Sequence, residues 1–307
     1  MSHLIDLHCH TNCSDGSLSP HALLERAGKS GVRILAITDH DTIEAYTIVR
    51  DAAEISGTEL FCGVELSTHL SGCERSVHLL GYFPSQPGAE FCTWLQELQR
   101  GRVERNMKLL AKLQELGFDI HWDEVQVLAQ RQVGRPHFAA ILQRKGYVKT
   151  LKEAFERYLS EDGMAWVDRD EPSLADSLVK VRKAGGLTSL AHPVRISRDW
   201  NYLAQIIRYY ARSGLDALEC FHSEHSKEET KKLLALAQMH ALRVTGGSDF
   251  HGGAKPDIEI GRGRNGNVLV PAYVAQQLVE KFTEAGLNKQ CKTERTSDNT
   301  STPRCHS

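Results

Sequence analysis

Short apolar runs recur along the chain, and most of them are separated by a segment with the spacing of an amphipathic helix. Strands that alternate with helices predict a parallel sheet, and runs that are apolar on both faces predict that helices cover it. We therefore expect an α/β fold, a closed or nearly closed (β/α) barrel of about seven units. The runs with strand character are LIDLHCH (4–10), RILAITDHD (33–41), LFCGVEL (60–66), VHLLGYF (77–83), LTSLAHP (187–193), ALECFH (217–222) and RVTGGSDFH (243–251).

The alternation stops between residues 99 and 168. RGRVERNMKLLAKLQELG predicts an amphipathic helix that ends at Gly117, and helical segments without convincing strands follow. Residues 100–160 carry 12 Lys and Arg against 7 Asp and Glu. We interpret residues 99–168 as a substrate-binding helical insertion in a discontinuous barrel formed by 1–98 and 169–287. A solvated helical surface would explain the charge equally well.

Composition, apolar run length and cysteine spacing argue against several classes of protein. The 307 residues are 41% hydrophobic with a net charge of −2, which argues against nonspecific coating of long nucleic acid. No apolar run approaches the roughly 18 to 20 residues that span a bilayer, and the eight cysteines include no CxxC pair. We therefore expect a cytoplasmic protein with no membrane association, and the polar sequence of residues 288–307 predicts a disordered tail.

Several of the fifteen histidines end the apolar runs together with Asp or Glu. His8 and His10 are two residues apart on a predicted strand, so both imidazoles point to the same side. Asp249 and His251 repeat this spacing at the end of the seventh run. His40, Glu65 and His192 end the second, third and fifth runs. Asp15 follows the first run in a loop, and the fourth run carries His78.

Each of these residues has an ordinary alternative explanation. Asp15 could form a local turn, Glu65 a buried ion pair, and His78 and His192 could be packed core histidines. If all these explanations held at once, at least six strands would place nitrogen or oxygen ligands at one barrel mouth by chance. The pattern therefore predicts a metal site. Six imidazoles and three carboxylates without a thiolate favour Mn²⁺, Fe²⁺ or Zn²⁺ over Mg²⁺.

The combined motifs resemble those of the polymerase and histidinol phosphatase (PHP) family. They are HxH at 8 and 10, DG at 15 and 16, TDHD at 38–41, GVE at 63–65, His78, AHP at 191–193 and SDFH at 248–251. The resemblance implies a distorted (β/α)7 barrel with up to three divalent metals, Mn²⁺ preferred, at the strand ends. It implies a first metal held by His8, His10, Glu65 and Asp249. Glu65 would bridge to a second metal with His78 and His192, and a third would be held by Asp15, His40 and His251.

Clustered divalent ions suit the hydrolysis of a phosphoester, with a metal-bound hydroxide as the nucleophile. No nucleophilic side chain is then needed. The chain contains neither GxSxG nor GxxxxGK[ST], which argues against a serine hydrolase and against P-loop phosphoryl transfer.

The best candidate for gripping a substrate phosphate is the segment Gly134, Arg135, Pro136 and His137. Its Gly and Pro fix a turn into a helix, which would place Arg135 beside the helix N-terminal amides. An ordinary helix start with an exposed arginine explains the segment equally well. The resemblance favours the phosphate site, because this GRPH resembles that of PHP enzymes that cleave nucleoside 3′,5′-bisphosphates, where the insertion holds the phosphate left on the product.

Other substrate candidates are weaker. Arg75, Arg102 and Arg105 could bind phosphate, but a solvated surface position is the favoured explanation for at least two of the three. Ser248 could donate to a phosphoryl oxygen or cap a turn. His222 ends the sixth run and could contact substrate or act as a general acid, or it could support a metal ligand.

These observations favour a metal-dependent phosphomonoesterase that removes the 3′-phosphate of a nucleoside 3′,5′-bisphosphate to give a 5′-nucleotide. The resemblance extends this expectation to 5′→3′ trimming of short oligonucleotides or RNA ends. Histidinol phosphate hydrolysis is an alternative that shares the barrel, and a noncatalytic metal-binding PHP module is another, against which the complete ligand set argues. The expected partner is a small nucleotide, with no obligate protein partner.

Overall fold

The computed structural model describes residues 3–73 and 76–284. Seven strands form one sheet in which each strand pairs with the next in chain order. They are β1 (Leu4–Asp6), β2 (Val32–Ile37), β3 (Glu59–Thr68), β4 (Val77–Phe83), β5 (Leu187–Leu190), β6 (Ala217–Phe221) and β7 (Arg243–Gly246). A separate hairpin contains β8 (Ile258–Glu259) and β9 (Gly263–Arg264).

The seven-stranded sheet curls until its two edges meet. The Leu7 amide donates to the Gly246 carbonyl at 3.2 Å, and an isolated parallel bridge joins Cys9 to Phe250. These contacts join the β1 and β7 edges without a regular ladder, so the sheet is a nearly closed barrel. The predicted α/β barrel of seven strand units is thus confirmed.

The expectation of a parallel sheet is wrong for one strand. β4 runs antiparallel to both β3 and β5, whereas the remaining neighbours pair in parallel. Only residues 69–76 connect β3 to β4, and a parallel connection needs a dozen or more residues. The short connection forces the reversal.

Ten helices accompany the strands in the described residues. They are α1 (Pro20–Ser30), α2 (Glu44–Ser56), α3 (Ala89–Glu115), α4 (Trp122–Ala129), α5 (Arg135–Arg144), α6 (Leu151–Ala154), α7 (Leu174–Lys183), α8 (Trp200–Arg212), α9 (Lys227–Met239) and α10 (Ala272–Glu284). The helix α6 continues directly into a π-helical turn, Phe155–Leu159. None of the described helices is long and apolar enough to cross a bilayer.

Local sequence explains where the helices begin and end. In α1 the Ser19 side chain accepts a hydrogen bond from the Ala22 amide, and Pro20 occupies the first turn. Gly31 ends the helix in the left-handed conformation, φ +85°, which glycine adopts without strain.

The helical segment between β4 and β5 has its own apolar core. Phe91 and Leu95, in the first half of α3, pack with the barrel. Leu109 and Leu113, in its second half, pack with the later helices of the segment. No strand occurs in residues 84–168, but the expected boundary at residue 99 falls inside α3. The division into barrel and insertion therefore stays a prediction. The predicted disordered tail, residues 288–307, lies outside the described structure.

Barrel closure leaves no room for a side chain at Gly247, directly after β7. A Cβ there would lie 2.3 Å from the His8 nitrogen and 2.5 Å from the His8 Cβ. We expect Gly247→Ala to lower the free energy of unfolding by about 1–3 kcal/mol or more, because backbone must shift. Gly28 in α1 has no atom within 4 Å of its Cβ position, so Gly28→Ala should raise stability by about 0.5–1 kcal/mol.

Thermal and denaturant unfolding of the two alanine variants measures this difference. A Gly247→Ala protein as stable as wild type would contradict the close approach of β7 to His8.

Candidate metal centre

The nine predicted metal ligands come together at one end of the barrel, which we call the mouth. Most follow the carboxyl end of a parallel strand, as His8 and His10 follow β1. His78 instead lies near the start of β4, opposite Ser67 of β3. Because β4 is reversed, its first residues lie where the parallel strands end, so the reversal brings His78 to the mouth.

Glu65 lies at the centre of this cluster and is 1% exposed. Its Oε2 is 3.1–3.3 Å from three ring nitrogens, and its Oε1 is 2.7 and 2.9 Å from two others. The five imidazoles are those of His8, His10, His40, His78 and His192. One carboxylate thus contacts ligand-type groups from all sides, as expected for a residue that bridges two cations.

Two aspartates complete the cluster. Asp249 Oδ1 lies 3.6 Å from His8 Nε2 and 3.4 Å from His10 Nε2. Asp15 lies 3.3 Å from His251 Nε2 and 3.7 Å from His40 Nε2. The predicted ligands therefore form overlapping groups of three or four donors, each group within 4.8 Å.

The donor atoms fit divalent cations. His8 Nε2, His10 Nε2 and His40 Nδ1 are buried and make no hydrogen bond, although each lies close to Glu65 Oε2. Buried polar nitrogens without a partner are costly. A cation shared with the carboxylate would satisfy them, but metal ligation itself stays a prediction.

Electrostatics keep the carboxylates charged. Burial raises the pKa of Glu65, but nearby His40, His8 and His78 outweigh it and hold the pKa well below its usual range. Burial and nearby charges act differently on the neighbouring imidazoles. At His40 burial dominates and lowers the pKa to about 3. At His10 burial is outweighed by Asp249 and Glu65, which raise its pKa to about 9.

Three non-glycine residues at the mouth have positive φ: Asp41 at +56°, His192 at +28° and Asp249 at +56°. Such conformations cost about 1–3 kcal/mol each and persist only where surrounding contacts enforce them. The His192 amide donates to Glu219 Oε2 at 2.6 Å, and the Asp249 amide donates to the His8 carbonyl at 2.7 Å. The strain thus lies in loops that carry the donor atoms.

Three buried carboxylates that the sequence analysis missed orient these loops. Glu219 in β6 accepts from His8 Nδ1 at 2.8 Å as well as from the His192 amide. Asp6 accepts from the backbone amides of His8 and Ser248. Asp39 accepts from the Thr11 amide and hydroxyl and from the Ser14 hydroxyl. Glu219 thereby fixes the ring orientation and tautomer of His8, whereas Asp6 and Asp39 hold the loop backbones.

Ser248 and His222 are buried beside the cluster, and like His8 and His10 they do not line its cavity. Ser248 is fully buried, and its hydroxyl donates to Asp6 Oδ2 at 2.5 Å. His222 is 2% exposed, with Nε2 3.3 Å from Asp249 Oδ2. The Ser248 contact fits the turn alternative, and His222 forms with His8 and Glu219 a further group of three donors within 4.8 Å of one another. The roles of Ser248 and His222 stay predictions.

The metal-ligand cluster opens into a cavity of about 750 Å³. One side of this cavity is basic and consists of Arg102, Arg105, Arg135 and Arg169, which we call the arginine wall. Two further cations, Arg195 and Lys255, line the cavity beside Asp249, and each lies 2.8 Å from its Oδ2. The sequence analysis missed Arg169, Arg195 and Lys255, and Arg75 lies outside the described residues.

The arginine wall is only partly neutralised. Asp41 accepts from Arg102 at 2.5 Å and from Arg169 at 2.9 Å. Glu171, which also lines the cavity, lies 3.4 Å from Arg169 Nε, so two carboxylates face four guanidinium groups. Burial, together with nearby Arg102 and Arg135, lowers the pKa of Arg105 to about 9. Among the described residues, no carboxylate lies within ion-pair distance of Arg105 or Arg135. The wall therefore carries excess positive charge, which an anion such as phosphate would offset.

The GRPH segment lies at this wall. Gly134 precedes α5, and its amide donates to His137 Nδ1 at 2.9 Å, while Pro136 lies in the first turn. Arg135 packs over the Trp166 ring at 4.8 Å and is half-buried, so it is not an ordinary exposed arginine. All four segment residues line the cavity.

Comparisons with known proteins agree with this geometry. Residues 6–165 match the PHP domain family model. The chain is 33% identical over 251 residues to the 5′-3′ exoribonuclease of Haemophilus influenzae, covering 82% of this chain and 91% of that protein. It is 30% identical over 261 residues to the 3′,5′-nucleoside bisphosphate phosphatase of Chromobacterium violaceum, covering 84% and 90%. A candidate metal-dependent phosphoesterase structure from Bifidobacterium adolescentis superimposes with a TM-score of 0.78, at 29% identity and 92% and 97% coverage.

The central position of Glu65 generates a prediction about metal loading. We expect Glu65→Gln to lower turnover at saturating Mn²⁺ at least about tenfold more than His251→Ala, because Glu65 would touch two ions and His251 one. Elemental analysis should find more than one transition ion per wild-type chain, and fewer in both variants.

Chelation should abolish activity, and added Mn²⁺ should restore it. Equal or reversed losses in the two variants would count against the bridging assignment. Full activity in protein that retains no metal would refute the metal centre as a whole.

Proposed function

The chain belongs to the PHP domain family and is a metal-dependent phosphoesterase, and on this premise we propose that it hydrolyses the 3′-phosphate of nucleoside 3′,5′-bisphosphates to give a 5′-nucleotide. One observation carries the proposal: a single cavity has the metal-ligand cluster on one side and the incompletely neutralised arginine wall on another. Two anion positions in one cavity suit a small substrate with two phosphates.

The donor set supports up to three divalent ions, and we propose Mn²⁺, with Fe²⁺ or Zn²⁺ as alternatives. The first would be held by His8, His10, Glu65 and Asp249, the second by Glu65, His78 and His192, and the third by Asp15, His40 and His251. Bound there, such ions would supply Lewis acidity and lower the pKa of a coordinated water.

The chain's own cations would then position the substrate. Arg195 and Lys255 lie beside Asp249, where they hold its pKa low, with Lys255 the larger influence, and they face the cavity next to the cluster. In that position they would neutralise oxygens of the reacting phosphoryl group. Arg105 and Arg135, which have no carboxylate partner among the described residues, would hold the 5′-phosphate that stays on the product.

The same geometry accommodates 5′→3′ trimming of short oligonucleotides. The first nucleotide of a 5′-phosphorylated RNA carries the same two phosphates, except that its 3′-phosphate is esterified to the next nucleotide. Hydrolysis of the bond between phosphorus and O3′ would release a 5′-nucleotide from either substrate. The names of the Haemophilus influenzae and Chromobacterium violaceum relatives correspond to these two substrates.

A substrate panel tests this assignment. With Mn²⁺ restored after chelation, adenosine 3′,5′-bisphosphate should release phosphate and AMP, and a short 5′-phosphorylated RNA should release 5′-mononucleotides. AMP alone should be a poor substrate, because its one phosphate would occupy the arginine wall.

Faster hydrolysis of histidinol phosphate than of the bisphosphate would favour the alternative phosphatase. Failure of fully metal-loaded protein to hydrolyse any of these compounds would favour a noncatalytic module.

Substitution of Arg135 tests substrate recognition separately from metal binding. We expect Arg135→Ala to keep its metal content while lowering kcat/KM for the bisphosphate by about 10²-fold or more, equivalent to roughly 3 kcal/mol for a charged hydrogen-bonded contact. Arg135→Lys should recover little, because an ammonium cannot reproduce the planar fork of a guanidinium.

Hydrolysis of p-nitrophenyl phosphate, which has no second phosphate, is the control and should change much less. Similar losses on both substrates would mean that Arg135 acts on the reacting phosphoryl group or on the fold.

A further inference from the structure

We propose that an apolar part of the same cavity binds the nucleobase of the substrate, with Phe155 as the stacking surface; this inference rests on the function proposed above. Apolar side chains of the helical segment line the cavity, among them those of Leu128, Ala140, Leu151 and Phe155. They come from α4, α5, α6 and the first residue of the π-helical turn. We call these four residues the apolar subsite.

The apolar subsite is left uncovered while the rest of the segment is packed. Leu128 is 38% exposed and Leu151 is 37% exposed, whereas Phe138 and Leu142 of α5 are fully buried in the core of the segment. Phe155 is half-buried and packs on that core, yet it also lines the cavity. An aromatic ring and two leucines facing a nucleotide cavity offer what the π-face of a base binds, and stacking of this kind tolerates every base.

The π-helical turn links this subsite to the arginine wall. The turn begins at Phe155 and ends at Leu159, whose carbonyl accepts from Arg135 NH1 at 3.3 Å. Isolated π-helical turns frequently occur at functional sites. Here one five-residue element presents an aromatic ring at its start and holds a phosphate-binding arginine at its end. This element would therefore bring the base and the 5′-phosphate of one nucleotide to the same part of the cavity.

The polar side chains near the apolar subsite already have partners. Gln130 Oε1 accepts from Asn12 Nδ2 at 2.8 Å, and Gln143 Nε2 donates to the Lys149 carbonyl at 3.0 Å. Both glutamines line the cavity, and each has one end of its amide engaged within the protein. The four side chains of the subsite offer only apolar contact, so we expect a base to be held there by stacking and apolar packing.

The test compares ligands with and without a base. Wild-type protein should show a kcat/KM for adenosine 3′,5′-bisphosphate about tenfold or more above that for ribose 3,5-bisphosphate. Phe155→Leu, which keeps an apolar side chain but removes the ring, should lose most of this difference and leave the ribose compound unaffected. Val127→Ala is the matched control, because Val127 neighbours Leu128 but does not line the cavity and is 77% exposed.

Leu151→Ser provides a second variant at an exposed position of α6, and it should weaken the nucleoside substrate selectively, in the same direction as Phe155→Leu. A wild-type enzyme that does not distinguish the two bisphosphates would overturn the apolar subsite. Equal losses on both compounds in Phe155→Leu and Leu151→Ser would overturn it too.

Calorimetric binding of AMP and ribose 5-phosphate separates this inference from the proposed function. If the bisphosphate is not hydrolysed but AMP binds about tenfold more tightly than ribose 5-phosphate, and Phe155→Leu removes that preference, the subsite stands and the proposed reaction fails. If the bisphosphate is hydrolysed and the two compounds bind equally, the reaction stands and the subsite fails.

Discussion

The buried negative charge of Glu65 is the constraint on which the mouth of the barrel depends. A carboxylate removed from water costs several kcal/mol unless cations or hydrogen-bond donors surround it. Five imidazoles do so, and they arrive from strands or loops that are distant in the sequence. Holding these rings in place requires a further layer of buried carboxylates, of which Glu219 is the clearest case because it binds both His8 and the His192 backbone. Strained φ angles at His192 and Asp249 are a consequence of forcing loops into this arrangement.

The barrel strands and the donor residues could be predicted from the sequence, because both depend on local patterns. Alternating apolar runs define strands, and ligand-type side chains at the run ends converge whenever the strands form a barrel. The reversal of β4 could also have been inferred, since the chain between β3 and β4 is too short for a crossover. The start of α3 could not be inferred from the sequence. Ala89 begins a helix whose first half packs on the barrel, and its apolar spacing continues into the second half without a break.

The residues that support the metal-ligand cluster could not be predicted from the sequence, for a different reason. Glu219 lies 211 positions from His8, and nothing in its own run distinguishes a carboxylate that orients a histidine from one in an ordinary ion pair. Arg169 and Lys255 likewise acquire their meaning from Asp41 and Asp249, which reach them only in the folded chain. Metal ligation, the extent of the insertion and the substrate contacts remain predictions, because each needs a bound ion or ligand or an isolated segment to test it.

Asp41 has a mechanical consequence that follows from the length of α3. A helix of 27 residues is about 40 Å long, and only its first half packs on the barrel. Near its midpoint, Gln99 donates to the Asp41 carbonyl and Arg102 to the Asp41 carboxylate. Asp41 therefore anchors the middle of α3 to the barrel mouth, while Gln130 and Gln132, beyond the end of α4, bond to Asn12 and to the His40 carbonyl. The helices that form one side of the cavity are thus held in place from both ends, by the same loops that carry the metal-ligand cluster.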